Sequence, residues 1–353
     1  MTKLIYQDYA PCGLQKNKNI SNSSRLAIKE AEKFGIDWEI IPGTQIVKLT
    51  YNKKERFYYH QIPCSTTALA KYVCNNKQIT SRLLKRNGIS VPNGFRIRRT
   101  YDASYLKEIF VSLKKPIVVK PNSGTWGENV TTSINSYQQY LTAIKLAFNY
   151  SGSENTTVMV EEMFKGDEFR ILVSREKVIG VLKRVPANII GDGINTIEKL
   201  INLKNLNRGN KGSNKSHFKI RMDKKLQEFL LAQKLSFKFV PQKGEQIFLR
   251  MVSNVSQGGD AIDYTDKVHQ SVKEIALKTI STIPGLSFTG IDFMTKDITK
   301  PQTRDSYVII EINDSPGFDI HDYPYQGKNR HAAKEFLFLI FPELREKNNF
   351  VLS

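Results

Sequence analysis

Acidic residues are in short supply: 34 Asp and Glu stand against 53 Lys and Arg, a formal net charge of +19 at pH 7. Such a balance means nucleic acid, an acidic substrate, or a solvated lysine-rich surface. The lysines run along the whole chain, mostly without interleaved aromatics, and no nucleic-acid module is legible. Cysteine is scarce as well. Cys12, Cys64 and Cys74 form no CxxC pair and no disulfide framework, which suits a reducing cytoplasm. No apolar run is long enough to span a bilayer and no signal peptide is legible, so a soluble cytoplasmic protein is expected. The chain also lacks the Gly-x4-Gly-Lys-Ser/Thr phosphate loop and the Gly-x-Gly-x-x-Gly dinucleotide fingerprint, and neither of those folds is implied. No nucleophilic triad is legible, since His60, His217, His269, His321 and His331 are scattered. Internal repeats and low-complexity tracts are missing too.

What is present reads as a globular α/β protein. Hydrophobic residues make up 40% and aromatics 10% of 353 residues, enough for a substantial core in two or three domains. Ser21-Asn22-Ser23-Ser24 precedes a helical pattern through Ala27, Ile28, Ala31 and Phe34 that Gly35 stops, and strands follow at 38–41, 45–51 and 56–59. Residues 65–86 look helical in two pieces, with Thr80 as the cap between them and Asn87-Gly88 as the stop. From 91 to 160 strands alternate with helices at 103–113 and 137–148. A hairpin at 169–184 turns at Arg175-Glu176. An amphipathic helix at 268–283 is capped by Thr265 or Asp266 and ended by Pro284-Gly285.

Two stretches carry chemistry. Gly290-Ile291-Asp292-Phe293-Met294 and Val308-Ile309-Ile310-Glu311-Ile312-Asn313 read as strands separated by turn formers. Folded about a turn between Pro301 and Gln302, they put Asp292 opposite Glu311, with Asn313 on the same face as Glu311. Two carboxylates and an amide oxygen suit Mg²⁺, which shares its remaining positions with phosphates and water. A solvated hairpin with two exposed acids gives the same pattern, but Asn313-Asp314-Ser315-Pro316-Gly317 after the strand favours a loop site. The second stretch is a strand at 115–121 carrying Lys120, followed by Asn122-Ser123-Gly124-Thr125-Trp126-Gly127-Glu128-Asn129-Val130. Glycines let backbone N–H groups turn toward a phosphate and the lysine adds countercharge, although a plain hairpin turn looks similar.

In this order, Lys120 with its glycine loop, Val160-Glu161-Glu162, Gly166-Asp167-Glu168-Phe169-Arg170, Asp292 and Glu311-x-Asn313 resemble the ATP-grasp superfamily. Arg184-Val185-Pro186-Ala187 through Gly191-Asp192-Gly193, Leu249-Arg250, Asn254-Val255-Ser256-Gln257-Gly258-Gly259, Asp263-Tyr264-Thr265-Asp266, residues 321–327 and Phe341-Pro342-Glu343 are similar to one branch. That branch holds the N-terminal half of cyanophycin synthetase and the ligase part of bifunctional glutathione synthetases. The resemblance covers roughly residues 65–345. It departs at Glu128 and Asn129, where small or basic residues are usual; Asn can adopt the left-handed backbone that glycine normally supplies.

The resemblance implies an ATP-grasp α/β fold: a small N-terminal domain at 1–78, a central lobe at 79–164, and a C-terminal lobe at 165–347 with a metal site and a basic mobile loop. ATP and Mg²⁺ (or Mn²⁺) are the implied cofactors. Lys77 and Lys120 resemble the lysines that neutralise ATP phosphates, with Gly124 and Gly127 in the loop. Glu161, Glu162 and Met163 resemble the adenine-facing segment, and Glu168 the ribose-binding acid. Asp292, Glu311 and Asn313 take the metal role. Arg250 and Arg184, with Asn254, are the implied cations and donor on the transferred phosphoryl group. Arg250 has the better claim, because Asn254 and Gly258-Gly259 after it could present further donors, while a structural salt bridge is the rival reading for either arginine and a close one for Arg184. His321, Gly258 and Gly259 are the implied substrate contacts, with structural hydrogen bonding equally open for His321. The basic segment 204–225 is expected to be a mobile loop that closes over substrate.

The implied activity is amide or peptide bond formation between an amino acid or short peptide carboxylate and an amine, by way of an acyl phosphate, with release of ADP and phosphate. Neither the second ligase of cyanophycin synthetase nor the glutamate–cysteine ligase of bifunctional glutathione synthetases is present, so a free-standing ligase is expected. Partners would be substrates and at most a second copy in a homodimer, with no membrane and no nucleic acid. Glutathione synthetase proper, or a non-catalytic nucleotide- or nucleic-acid-binding protein with this fold, are the alternatives.

Overall fold

The computed structural model describes residues 20–122, 129–149, 157–210, 213 and 215–345. The chain begins with α1 (Asn22–Lys33), whose N-terminal N–H groups are capped by Ser21, the acceptor for the Ser24 amide. An antiparallel sheet of β1 (Asp37–Ile40), β2 (Ile46–Tyr51), β3 (Lys54–Tyr59) and β4 (Ile62–Pro63) follows, its strands in sequence order. Two short helices come next, α2 (Ala68–Cys74) and α3 (Lys77–Arg86). The cap of α3 is Asn76, which accepts from the Ile79 amide, and not Thr80. Thr80 lies inside that helix, where its hydroxyl donates back to the Val73 carbonyl at 2.7 Å. Asn at the position before the helix offers the shorter reach to a free N–H, so it takes the cap.

The central lobe runs through β5 (Gly94–Arg98), α4 (Ala103–Ser112), β6 (Ile117–Pro121), β7 (Thr131–Ile134), α5 (Tyr137–Asn149) and β8 (Thr157–Glu162). Its four strands stand in the order β5-β8-β6-β7, all antiparallel. One face packs Ile97, Val119, Val158 and Val160 against Ile109 of α4 and Tyr140, Ile144 and Phe148 of α5. That burial leaves the other face for polar side chains.

The C-terminal lobe is built on β9 (Asp167–Ser174), β10 (Val178–Val185), β13 (Asp260–Asp263), β14 (Phe288–Thr295) and β15 (Tyr307–Asn313), in the order β13-β10-β9-β14-β15. Between β10 and β13 lies a satellite unit with its own small core: β11 (Asn188–Ile190), α6 (Ile197–Asn205), α7 (Lys224–Ala232) and β12 (Gln246–Phe248). The helix α8 (Gln270–Thr282) covers the apolar face of the sheet, joined there by Ala70, Val73 and Leu84 from α2 and α3. Its cap is His269 rather than Thr265 or Asp266, because the His269 ring accepts from the Ser271 amide.

The chain closes with α9 (Asp319–Asp322) and α10 (Ala332–Ile340). The first and last segments share one core. Leu26, Ile28 and Tyr58 pack with Phe288, Phe318, Phe336 and Phe341, and the Tyr58 and Phe336 rings meet edge-on at 5.3 Å. Cys64 and Cys74 are free thiols. Among the described residues no helix is long and apolar enough to cross a membrane.

Candidate functional site

Strand alternation places the site. In the five-stranded sheet Phe169, Ile171, Ile291 and Phe293 point into the core, so their neighbours Glu168, Arg170 and Asp292 point to the opposite face. Cross-strand register brings these together, with Asp292 opposite both Arg170 and Glu311, and Glu168 opposite Arg184. Asp292 does align with Glu311, but the strands nearest the turn pair about Pro301 rather than between Pro301 and Gln302, and a bulge between Asp292 and Phe293 supplies the missing residue. Asn313 lies opposite Gly290, two residues along the same strand.

The acids on this face are held by cations. Asp292 takes Arg170 Nε on Oδ1 at 2.8 Å and Arg184 Nη1 on Oδ2 at 3.3 Å. Arg184 also bridges to Glu168 at 2.7 Å and donates Nη2 to Asn254 Oδ1 at 2.5 Å. Burial opposes the charge on Arg184, but Asp292, Glu168 and Glu311 beside it raise its pKa further above the ordinary value. The Ser253 hydroxyl donates to Glu168. Glu311 meets Lys77 Nζ at 3.1 Å.

Lys77 stands at the first position of α3, and the Gln78 amide beside it donates to Asn122 Oδ1. Asn122 directly follows β6, so the start of α3 is tied to the end of the strand that carries Lys120. Lys120 and Glu161 are both buried and pair at 2.6 Å across β6 and β8. Lys77, Glu161 and Glu311 line one narrow cleft. Glu162 accepts from Asn93 and from the Lys114 amide, and the Met163 amide donates to the Pro116 carbonyl, which fixes the segment leaving β8.

Gly124, Gly127 and Glu128 lie outside the described residues. Asn129 just beyond them has φ +54°, the left-handed backbone expected of it. Arg250 is directed elsewhere: its Nη2 pairs with Asp223, the N-cap of α7, at 2.7 Å and donates to the Arg221 carbonyl. Of the two arginines, Arg184 is therefore the one in contact with Asp292.

His321 is fully buried against Gly180, and neither ring nitrogen has a hydrogen-bond partner. Burial, reinforced by Arg170, lowers its pKa to about 3, so the ring is neutral. Gly258 has φ +93° and an added Cβ would lie 2.7 Å from Ile220; one on Gly259 would meet three backbone carbonyls. The Asn254 loop is thus tightly seated.

The basic segment differs most from expectation. Lys204 and Arg208 turn inward, and both pair with buried Asp260. Arg208 also donates to the carbonyls of Phe218, Gly258 and Gly259. These two cations therefore serve the interior and are not part of a solvated loop, while Lys211 lies outside the described residues. Sequence reasoning also gave no role to Arg170 or Ser253 and placed Arg208 in the mobile basic segment. Arg170 sat in a quoted motif, but only the sheet register reveals its partner.

As for metals, among the described residues no group of three His, Cys, Asp or Glu side chains could hold an ion. Two carboxylates and one amide on adjacent strands form an incomplete oxygen set. That fits a hard divalent ion whose shell is completed by phosphates and water. The Asn313 side-chain oxygen meanwhile accepts from the Ser315 amide.

Residues 74–217 match a RimK-like ATP-grasp domain. The chain is 35% identical over 332 residues to the glutathione biosynthesis bifunctional protein GshAB of Clostridium perfringens, covering 92% of this chain and 41% of that protein. It is 34% identical over 334 residues to the cyanophycin synthetase of Crocosphaera subtropica, covering 93% and 37%. The chain thus spans about two fifths of the length of these relatives. Among solved structures, a bifunctional glutathione synthetase from Pasteurella multocida superposes with a TM-score of 0.71 at 28% identity, over 92% of this chain and 44% of that one.

Proposed function

The chain belongs to the ATP-grasp superfamily through its RimK-like ATP-grasp domain, and on that premise we propose that it is an ATP-dependent carboxylate–amine ligase. One observation carries the reading. Asp292 and Glu311 stand directly opposite each other, with Arg170 and Arg184 on the first and Lys77 on the second. Cations so placed are what a polyphosphate needs around its reacting end.

A carboxylate resists an amine at neutral pH because oxide would have to leave. In the proposed reaction a substrate carboxylate oxygen attacks the γ-phosphorus of ATP, and the β,γ-bridging oxygen departs with ADP. The amine then attacks the acyl carbon, a C–N bond forms, the amine loses a proton, and phosphate leaves. Lys77 and Lys120 turn from Glu311 and Glu161 to the phosphates. Arg184, steadied by Asn254, offsets charge on the phosphoryl group in transit, and Arg250 joins it when released from Asp223. Glu168 accepts from the ribose hydroxyls, and Glu161, Glu162 and Met163 border the adenine. A Mg²⁺- or Mn²⁺-type ion on Asp292, Glu311 and Asn313 supplies charge neutralisation among the phosphates when bound. Gly124 and Gly127 belong to the same reading as phosphate-loop donors. His321, Gly258 and Gly259 shape the substrate side, His321 from beneath the surface. Residues 79–164 and 165–347 are the two clasping lobes, with 1–78 ahead of them, in a cytoplasmic enzyme.

The substrates proposed are an amino acid or short peptide carboxylate and an amine. Glutathione synthesis itself is the second reading, favoured by the likeness to the Pasteurella multocida structure. A nucleic-acid role draws little support, since Lys204 and Arg208 of the basic run are spent on Asp260. The test is ATP-dependent phosphate release over amino acids and dipeptides, singly and in pairs, with phosphorus NMR of the products. ADP and phosphate are expected, and hydroxylamine should trap a hydroxamate of the carboxylate substrate. AMP and pyrophosphate accompanying amide formation would overturn the acyl-phosphate route.

A further inference from the structure

Glu168 has each of its carboxylate oxygens engaged by a different side chain. Oε1 meets Arg184 Nη1 at 2.7 Å, and Oε2 accepts from the Ser253 hydroxyl. Among the described residues these are its two polar contacts. An ionised carboxylate has about four acceptor positions, two on each oxygen, so each oxygen keeps one. The Glu168 side chain is 29% exposed, whereas Ser253 beneath it is buried. Solvent therefore reaches the carboxylate from the side away from Ser253. Two hydroxyls on neighbouring carbons, as in a ribose, can each donate to one oxygen of a carboxylate held in this way.

Ser253 can aim the carboxylate because its own backbone is held. It lies in the loop between β12 and β13, where the Asn254 carbonyl takes the amides of Gln257 and Gly259. Gly258 and Gly259 have no room for a Cβ, and their carbonyls accept from buried Arg208. Neighbouring residues of this loop grip the two directly opposed side chains, Ser253 on Glu168 and Asn254 on Arg184. The last torsion of a glutamate is broad, so the plane of its carboxylate is not set by rotamer preference. Arg184 alone fixes one oxygen. Ser253 fixes the second and with it the plane.

We infer that Ser253 is a positioning residue that sets the plane of the Glu168 carboxylate, and that through it the chain selects ribonucleotides over deoxyribonucleotides. The ribose contact of Glu168 rests on the ligase reading above. Ser253 acts one step behind it, touching the carboxylate and not the sugar.

The experiment measures binding of ATP and of 2′-deoxy-ATP to the full chain by isothermal titration calorimetry. Wild type should bind ATP about 10-fold more tightly than 2′-deoxy-ATP, as expected for one hydrogen bond to a charged acceptor. Ser253→Ala should weaken ATP binding about 5-fold and leave 2′-deoxy-ATP near its wild-type affinity, so that the preference falls to about 2-fold. Ser253→Thr, which keeps the hydroxyl, should retain the preference. Adding Ser253→Ala to Glu168→Gln should change the preference no further, since the serine acts through the acid. An undiminished preference in folded Ser253→Ala overturns the inference. So does an equal weakening of both nucleotides, which is what a merely structural serine would produce, or a wild type without preference. Glu168→Gln alone tests the ligase reading separately, because a full preference for ATP there removes Glu168 from the sugar whatever Ser253 does.

Discussion

Two clusters in the C-terminal lobe are built from the same parts and are put to opposite uses. On the open face of the sheet, Arg170 and Arg184 pair with Asp292, and Lys77 with Glu311. In the satellite unit, Lys204 and Arg208 pair with Asp260, and both cations also lie over the Tyr325 ring. Of the first cluster, Lys77 and Glu311 line a cleft, and the Glu311 side chain is 33% exposed against 5% for Asp260. The second is sealed: the Arg208 side chain is 0% exposed, and its remaining donors go to backbone carbonyls of Phe218, Gly258 and Gly259. Burial lowers the pKa of Lys204, against which Asp260 acts. Composition does not separate the two clusters; the exposure of Glu311 against that of Asp260 does.

Removing one charged side chain from each cluster should produce different kinds of damage. The largest effect is expected for Glu311→Gln, which should lower kcat for ligation by about 10³-fold, with the melting temperature changed by no more than about 4 °C. Near-normal turnover with Mg²⁺ would break the comparison at its open end. Next comes Arg208→Met, which leaves Asp260 with Lys204 and Asn188 and three carbonyls short of a donor. A buried pair broken in this way costs about 3–5 kcal/mol, readable by urea unfolding. Exchange of the Gly209 and Lys219 amides, which bond to the His217 and Gly209 carbonyls, should be slow in wild type and indifferent to an ATP analogue. Fast exchange there that slows on adding the analogue would restore the closing loop expected from composition.

The two clusters also differ in how far they could be read in advance. Asp292 and Glu311 do fall opposite each other, but counting from the turn alone falls one residue short, because the strands pair about Pro301 up to Phe293–Ile309 and a bulge then restores the expected register. Helix starts at Ser21 and strand limits along 37–59 were legible from local sequence. The left-handed backbone of Asn129 was foreseeable because few residues besides glycine tolerate it. Lys77 and Lys120 depended on resemblance, since an isolated lysine has no local signature. Arg208 was misread: its surroundings are rich in Gly, Asn and Lys, as a mobile loop would be, while its partner Asp260 lies 52 residues further on. The Arg170–Asp292 pair spans 122 residues and only the sheet register discloses it. Caps at Asn76 and His269 were missed because several cap-forming residues compete within a few positions.

The smallest expected effect sharpens the comparison through proton binding. His217 belongs to the sealed cluster: its ring is fully buried, stands 5.9 Å from that of Tyr325, and accepts the Ala261 amide at Nε2. Burial, then Arg208 and Lys204, hold its pKa well below 6.5. The folded chain therefore refuses a proton that the unfolded chain takes up at about pH 6.5. Stability from this group is complete above that pH and is lost as pH falls below it, by about 1.4 kcal/mol per unit. His217→Gln keeps an acceptor for the Ala261 amide and removes the titration. Urea unfolding at pH 7.5, 6.0 and 5.0 should then show a pH slope shallower by one proton than wild type. His321, buried elsewhere and also held neutral, contributes equally to both proteins and cancels. Equal slopes would mean that His217 takes up its proton in the folded chain, and that the cluster around Asp260 is open to water after all.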